Sequence, residues 1–334
     1  MVNEKFIPRA YAAYSVEGDI RKESSSGGVF SLLCEDVLGR GGAVFGAAFG
    51  EGGIVSHVCV RDVSSLSRLR GAKYSRSSLG DCFSQVKALL ASGVPVLFSG
   101  TPCQCGALSS YLGSGRDGLI LVDFICHGVP LPSVWEAYLK WRSREDGKEM
   151  LPSRINLRSK DTGWSRYSYS LKFEYPDGDV TLSPSSSDAF MRGFVRDYYL
   201  AESCYSCRFK GDARASDITL GDFWGIWSSH PEMDDNGGTS AVVVNTALGA
   251  ELWERVGSRA CILPVTLDEV TAENPSYLRS ASRPEMRDGI VRCINSENFG
   301  SVVEDAVRRD DARRRASDGG SIKRVLRYIK RKLR

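Results

Sequence analysis

VPVLFSGTPCQCGALSSYLGSGRDGLILVDFIC (residues 94–126) places two short apolar runs, VPVLFSG (94–100) and GLILVDFIC (118–126), on either side of TPCQCGALSSYLG (101–113). Apolar runs of this length bounded by turn residues read as buried strands. The segment between them carries Pro102 where a helix would begin, a position at which the missing N–H costs nothing. Strand, helix and strand in one stretch predict a βαβ unit, with parallel neighbouring strands and a right-handed crossover. Ligands of such sheets bind beyond the carboxyl ends of the strands. The first run ends near Cys103 and the second at Cys126, so the pattern sets two cysteines at one rim.

Working outward, residues 1–23 read as an extended lead-in. Ser24-Ser25-Ser26-Gly27-Gly28 then precedes VFSLLCEDVL, whose Val29, Phe30, Leu32, Leu33, Val37 and Leu38 recur at helical spacing, with Gly39 to Gly42 as the stop. Residues 43–49 and 55–60 read as strands around a Gly-rich turn, and 79–91 as a helix. Downstream, Leu131 to Glu145 predicts a helix. Residues 154–184 predict a hairpin around Pro176-Asp177-Gly178, and Asp188 to Leu200 an amphipathic helix leading into Cys204-Tyr205-Ser206-Cys207. Residues 217–224 and 240–246 read as strands, and 247–257 as a helix. The expected class is α/β, mixed with α+β character: two lobes, with a βαβ unit and a mixed sheet.

The chain has 334 residues, 42% hydrophobic and 25% charged, an ordinary globular composition for two domains or one large one. That excludes disorder, collagen and a small disulfide scaffold. No apolar run nears the roughly 18 residues of a membrane span, and the first residues lack the apolar core of a secretory signal. The expectation is a cytoplasmic protein with reduced cysteines. Residues 308–334 carry a local charge of +9 and the rest of the chain −6. An acidic body argues against a nucleic-acid-binding globule. In the tail, Ile322, Val325, Leu326, Ile329 and Leu333 share one helical face opposite Lys and Arg. Such a helix can lie on an anionic membrane, placing the protein at its inner face, or dock on an acidic partner; a solvated tail is the alternative.

Five of the ten cysteines, Cys34, Cys59, Cys82, Cys261 and Cys293, stand singly in apolar surroundings and read as core residues. Cys105 reads as a packing residue of its helix. Cys204 and Cys207 form a C-x-x-C in a polar loop; with Cys103 and Cys126 they make four thiols, the number that zinc or a [4Fe–4S] cluster takes. A structural zinc site usually shows two close C-x-x-C pairs, and here one pair is split between strands. A thioredoxin-like pair would sit on a strand opening a helix, which this one does not. Composition leaves iron–sulfur and zinc open.

At these residues the chain resembles the coenzyme F-420 hydrogenase/dehydrogenase beta-subunit family, which also includes plant 7-hydroxymethyl chlorophyll a reductase. The matching pieces occur in family order: SSSGGVF (24–30), LRGAKYSRS (69–77), VLFSGTPCQ (96–104), DFICHGVP (123–130), SCYSCRF (203–209) and SDITLGDFWGI (216–226). The resemblance covers residues 10–280. It implies an N-terminal domain over 24–93 and a cluster and flavin domain over 94–280; beyond it, residues 281–334 read as a helical basic tail. It also implies FAD and a [4Fe–4S] cluster on Cys103, Cys126, Cys204 and Cys207, with electrons passing between cluster, flavin and a hydride-accepting substrate or deazaflavin-type coenzyme. Many members carry an amino-terminal ferredoxin module; here the first cysteine is Cys34, so an external electron donor such as ferredoxin is expected. Leu200-Ala201-Glu202 replaces the Leu-Arg-Pro often found before the C-x-x-C, which removes a positive charge beside the cluster. The competing class is a non-catalytic zinc- or cluster-stabilised interaction protein, accessory to cell-surface polysaccharide synthesis.

Within the resemblance, Ser24, Ser25, Ser26, Gly27 and Gly28 are expected to cradle the FAD diphosphate at a helix N-terminus; a plain Gly turn is the alternative. Gly100, Thr101, Lys73, Tyr74 and Asp222 complete the expected flavin set. Lys73 could face a phosphate or the negative charge of reduced flavin, or be a surface lysine. His127, beside Cys126, could donate a proton or a hydrogen bond, or be structural. Phe223, Trp224 and Trp227 could cover the flavin ring or fill the core. The substrate and the oligomeric state are open.

Overall fold

A computed structural model describes residues 6–165 and 168–332, the side chains beyond 316 excepted. Its strands are β1 (Arg9–Ser15), β2 (Ala43–Phe49), β3 (Val55–Val60), β4 (Val96–Ser99), β5 (Leu119–Phe124), β6 (Arg154–Ser159), β7 (Ser170–Glu174), β8 (Val180–Pro184), β9 (Ile218–Asp222), β10 (Ser240–Val244) and β11 (Ala260–Val265). The helices are α1 (Gly18–Glu23), α2 (Val29–Gly39), α3 (Cys82–Ala91), α4 (Pro102–Leu112), α5 (Pro132–Glu145), α6 (Ala189–Phe194), α7 (Ile226–Ser229), α8 (Ala247–Val256), α9 (Leu267–Ala272), α10 (Arg287–Cys293) and α11 (Phe299–Lys332).

The βαβ unit forms as its pattern predicts. Pro102 opens α4, and Thr101 caps it in a capping box with Gln104. β4 and β5 pair in parallel, Phe98 opposite Leu121. They sit inside an eight-stranded mixed sheet in the order β11-β1-β10-β9-β5-β4-β2-β3. β2, β4, β5 and β9 run parallel, so their carboxyl ends share one rim. Successive β4 residues supply opposite faces: Leu97 packs with Leu32 and Leu33 of α2 and Leu252 of α8, Phe98 with Leu108 of α4 and Val86 of α3. Burial on both faces is why these strands read as continuous apolar runs.

β1 corrects the expected lead-in: residues 9–15 pair on both sides, with β10 and β11. The expected boundary at residue 93 also falls within this one sheet, between β2 and β4. The second lobe is the antiparallel sheet β6-β7-β8, packed with α5, α6 and α11 around Tyr138, Phe173, Phe190, Tyr199 and Phe299. Predicted over 188–200, α6 ends at Phe194. Asp197 takes a left-handed φ of 65°, and the Tyr198 N–H turns back to the Gly193 carbonyl. Tyr198, Tyr199 and Leu200 then enter the core of this lobe.

Candidate functional site

Every residue expected at the site lies at or near the rim where β2, β4, β5 and β9 end. Three segments bring the cysteines together. Cys103 stands in the first turn of α4, its Sγ 3.1 Å from Thr101 Oγ1. Cys126 follows β5. Cys204 and Cys207 lie in and after a 3₁₀ turn, Glu202–Ser206. The Val129 N–H donates to Cys204 Sγ at 3.4 Å, joining the second segment to the third. Gly128 permits that approach: a Cβ there would stand 2.7 Å from Leu200 and 3.4 Å from Cys204 Cβ. Gly106, one turn after Cys103, leaves room for the Phe209 ring, at 2.4 Å from its would-be Cβ. That contact lays the segment after Cys207 along α4.

The thiols share one electrostatic environment. Burial pushes the Cys126 thiol up to about 12; Lys210 opposes the shift, while Cys204, Cys103 and Cys207 add to it. Burial also raises Cys204, against the Val129 N–H. The Lys210 ammonium donates to the carbonyls of Cys126 (2.6 Å) and Ser276 (2.8 Å), a cation near the thiols of Cys126, Cys204 and Cys207. Among the described residues no three His, Cys, Asp or Glu side chains gather closely enough to hold one metal ion. A zinc site needs four sulfurs about 2.3 Å from a single ion. A cubane binds its thiolates through separate irons, and four thiols with an amide and an ammonium beside them are donors of the kind such a cluster takes.

Cys105 is fully buried, as expected of a packing residue, and so are Cys34 and Cys82. Cys59 and Cys261 are half-buried. Cys293 corrects the core reading: it is exposed at the end of α10.

The SSSGG segment reaches the same rim but is held mainly by protein. The Gly27 N–H donates to Ser240 Oγ at 3.0 Å, and its carbonyl accepts from the Ser15 N–H at 2.7 Å. Ser24 Oγ donates to the Ile20 carbonyl and Ser26 Oγ to that of Thr239. Ser25 is half-buried between them. No serine caps α2; its N-cap is Gly28, at φ 88°. A Cβ on Gly27 would stand 2.4 Å from the Ala13 carbonyl oxygen, a backbone atom that cannot yield. Gly27→Ala is therefore expected to destabilise the fold more than Gly28→Ala, which meets its neighbours at 3.3 Å and costs about 1–2 kcal/mol for the left-handed φ. Urea unfolding of both variants checks the order; equal loss would refute it.

Tyr74 and Asp222 meet through Arg158, which the sequence reading missed. Arg158 on β6 donates to Asp222 Oδ2 at 2.8 Å and to Tyr74 Oη at 3.4 Å. Its guanidinium lies 4.0 Å from the Tyr169 ring centre, 4.3 Å from Trp164 and 5.0 Å from Trp224. Burial raises the Asp222 pKa, and Arg158 opposes it. Two residues on, Lys160 donates to the carbonyls of Arg21, Ser26 and Gly237. These two cations from the second lobe brace the rim. The only signal in the sequence was their i, i+2 spacing in an alternating segment. Of the expected aromatics, Phe223 is buried in the core and Trp227 is exposed.

Lys73 is half-buried; its ammonium donates to the carbonyls of Leu69 (2.9 Å) and Arg70 (2.6 Å), near the Phe49 ring at the end of β2. Burial lowers its pKa to about 7. His127 lies between Asp197 Oδ1, 2.6 Å from Nε2, and Ser276 Oγ, 3.4 Å from Nδ1. The left-handed φ at Asp197 delivers its carboxylate to that place. Gly100 and Thr101 form the turn from β4 into α4, where a Gly100 Cβ would press on Phe98 at 2.9 Å.

The site is thus an α/β sheet rim at which four thiols meet beside a buried cationic brace. Residues 95–269, more than half of the chain, match the C-terminal region of the beta subunit of coenzyme F420 hydrogenase/dehydrogenase, and the chain belongs to that family. Membership places it among oxidoreductase subunits. Its fold is shared with a chain of the F420-reducing [NiFe] hydrogenase complex from Methanosarcina barkeri, in a xenon-derivatised structure: 17% identity, 82% of this chain and 90% of that one covered, TM-score 0.55. No curated protein matches. No described helix is long and apolar enough to cross a membrane.

Proposed function

We propose that the chain is an iron–sulfur flavoprotein oxidoreductase, in which Cys103, Cys126, Cys204 and Cys207 hold a [4Fe–4S] cluster. FAD occupies the adjoining rim formed by Ser24–Gly28, Lys73, Tyr74, Gly100, Thr101 and Asp222. The observation that carries this reading is the convergence of three chain segments, bearing four thiols, on the rim that also gathers the flavin set. When bound, a cluster exchanges single electrons and a flavin exchanges pairs as hydride; the protein sets position, charge and access. Lys210 and the Val129 N–H stabilise negative charge on the sulfurs. Arg158 and Lys160 hold the rim closed against the second lobe. Lys73 presents a cation whose charge is set near neutral pH, and His127 stands beside Cys126 with Nε2 2.6 Å from Asp197 Oδ1.

Electrons would come from an external donor and pass to a hydride-accepting small molecule, of which a deazaflavin coenzyme is the example the family supplies. The test is iron, sulfide and FAD stoichiometry with a visible spectrum of anaerobically purified protein. A colourless, zinc-containing preparation would refute the reading.

For Lys73, the folded pKa lies below the unfolded one. The folded state therefore binds fewer protons between about pH 7 and 10, and stability rises with pH across that window. Burial lowers Lys160 and Lys210 as well, so Lys73→Met should reduce this rise rather than remove it; an unchanged rise in denaturant titrations of the variant would clear Lys73 of the effect. With FAD bound, Lys73→Ala should retain the cofactor and lower its midpoint potential.

The tail reading also stands as a proposal. α11 runs to Lys332, and its first part is anchored through Val303, Ala306 and Val307; the apolar face over 322–333 lies beyond the described side chains. Deleting 317–334 should weaken binding to anionic vesicles, by about 1 kcal/mol per Lys or Arg lost near the surface, and equal binding would dismiss it.

A further inference from the structure

We propose that the surface around Cys103 docks an acidic one-electron carrier protein, with Arg76, Arg208 and Arg279 as its charged rim and Leu278 as its apolar contact. This rests on the cluster reading above. Of the four cysteines, Cys103 is exposed, whereas Cys126, Cys204 and Cys207 are half-buried. The shortest way from the sulfurs to solvent therefore passes Cys103, and a carrier must approach there to exchange an electron.

Three segments surround that opening, and each carries an exposed arginine. The loop holding Arg76 is tied to α4 by the Gln104 side-chain amide, which donates to Ser77 Oγ at 2.9 Å, one residue beyond Cys103. Arg208 follows Cys207 directly, and the next residue, Phe209, packs on Gly106 of α4. Arg279 precedes Ser280, whose Oγ accepts the Cys207 N–H at 2.9 Å. Among the described residues none of these arginines forms an ion pair. Of the acidic groups in the same segments, Glu202 is engaged by Arg283 at 2.8 Å and Asp212 is exposed. A basic rim here runs against the −6 charge of the chain before residue 308.

Beside Arg279, Leu278 is 57% exposed. An exposed apolar side chain next to these unpaired arginines suits a transient partner of the opposite sign. The charges steer encounter, and the small apolar contact allows release.

The experiment uses the full chain, an acidic plant-type ferredoxin as the probe, and the variant Arg76→Glu/Arg208→Glu/Arg279→Glu. Association at low ionic strength should slow by about tenfold or more, and the difference should vanish in high salt, where exposed charges are screened. Reduction of bound iron by the same ferredoxin should slow in parallel, while reduction by methyl viologen, which needs no docking, keeps its rate. Arg40→Glu, at the opposite end of the sheet, should behave as wild type. Unchanged ferredoxin association in the triple variant overturns the surface. A wild-type chain that binds ferredoxin with this arginine dependence but holds no iron overturns the cluster reading and leaves the docking face in place.

Discussion

Cys103→Ser, Cys126→Ser, Cys204→Ser and Cys207→Ser are each expected to lose most bound iron and acid-labile sulfide, while Cys105→Ser and Cys34→Ala retain both. The four come from three segments held by separate contacts: the Thr101 cap, the Val129 amide and the Gly106–Phe209 packing. No single loop can compensate for a missing thiolate. Cys126→Ser should be the most damaging, because this thiol is the most buried of the four and its neighbour Lys210 would keep a cation without its sulfur partner. Cys105 is no further along the chain from Cys103 than one residue pair, yet its thiol points at the Gly100 and Val122 carbonyls, inside the sheet–helix interface. Iron and sulfide analysis with far-ultraviolet circular dichroism separates cluster loss from unfolding. Cluster loss in Cys105→Ser with retention in Cys103→Ser would overturn the ligand assignment.

Arg158→Met is expected to destabilise the protein by about 3–5 kcal/mol, the range for removing one partner of a buried ion pair. The methionine keeps the volume but leaves Asp222 buried without its cation, and three aromatic rings without their charge. The pH dependence has a definite sign. Burial already raises the Asp222 pKa, and loss of Arg158 raises it further. The folded state then binds the proton more tightly than the unfolded chain, so the stability deficit grows as pH rises from the acid range toward neutral. Arg158→Met/Asp222→Asn should recover much of the loss, since both members of the pair are then uncharged. Urea unfolding at pH 5 and pH 8 measures this. A deficit independent of pH, with no recovery in the double variant, would mean that Arg158 acts through packing alone.

The same pair explains how the second lobe serves the rim. Arg158 and Lys160 leave β6 together and reach Asp222 and the Ser26 carbonyl, one at the end of β9 and the other before α2. Weakening this brace should therefore disturb the Ser24–Gly28 side of the rim before the cysteine side, whose ties run through Val129, Phe209 and Ser280.

The sequence by itself determined the parallel centre of the sheet and the rim on which the site lies. Local signals sufficed: apolar runs of strand length, Pro102 at a helix start and Gly-rich stops are written within a few residues of one another, and their consequence for Cys103 and Cys126 follows from connection geometry. It also marked the C-x-x-C, because that spacing is itself local. Three things were decided by tertiary structure alone. β1 looked like a lead-in because its partners, β10 and β11, lie more than 220 residues away. α6 looked longer because the turn at Asp197 is set by the core that takes Tyr198 and Tyr199, not by a glycine or proline. Arg158, Lys160 and Lys210 looked like ordinary surface charges. A buried cation differs from a solvated one only in the carboxylates, carbonyls and rings around it, and here the chain supplies the carboxylate and the carbonyls from segments 50 residues or more away.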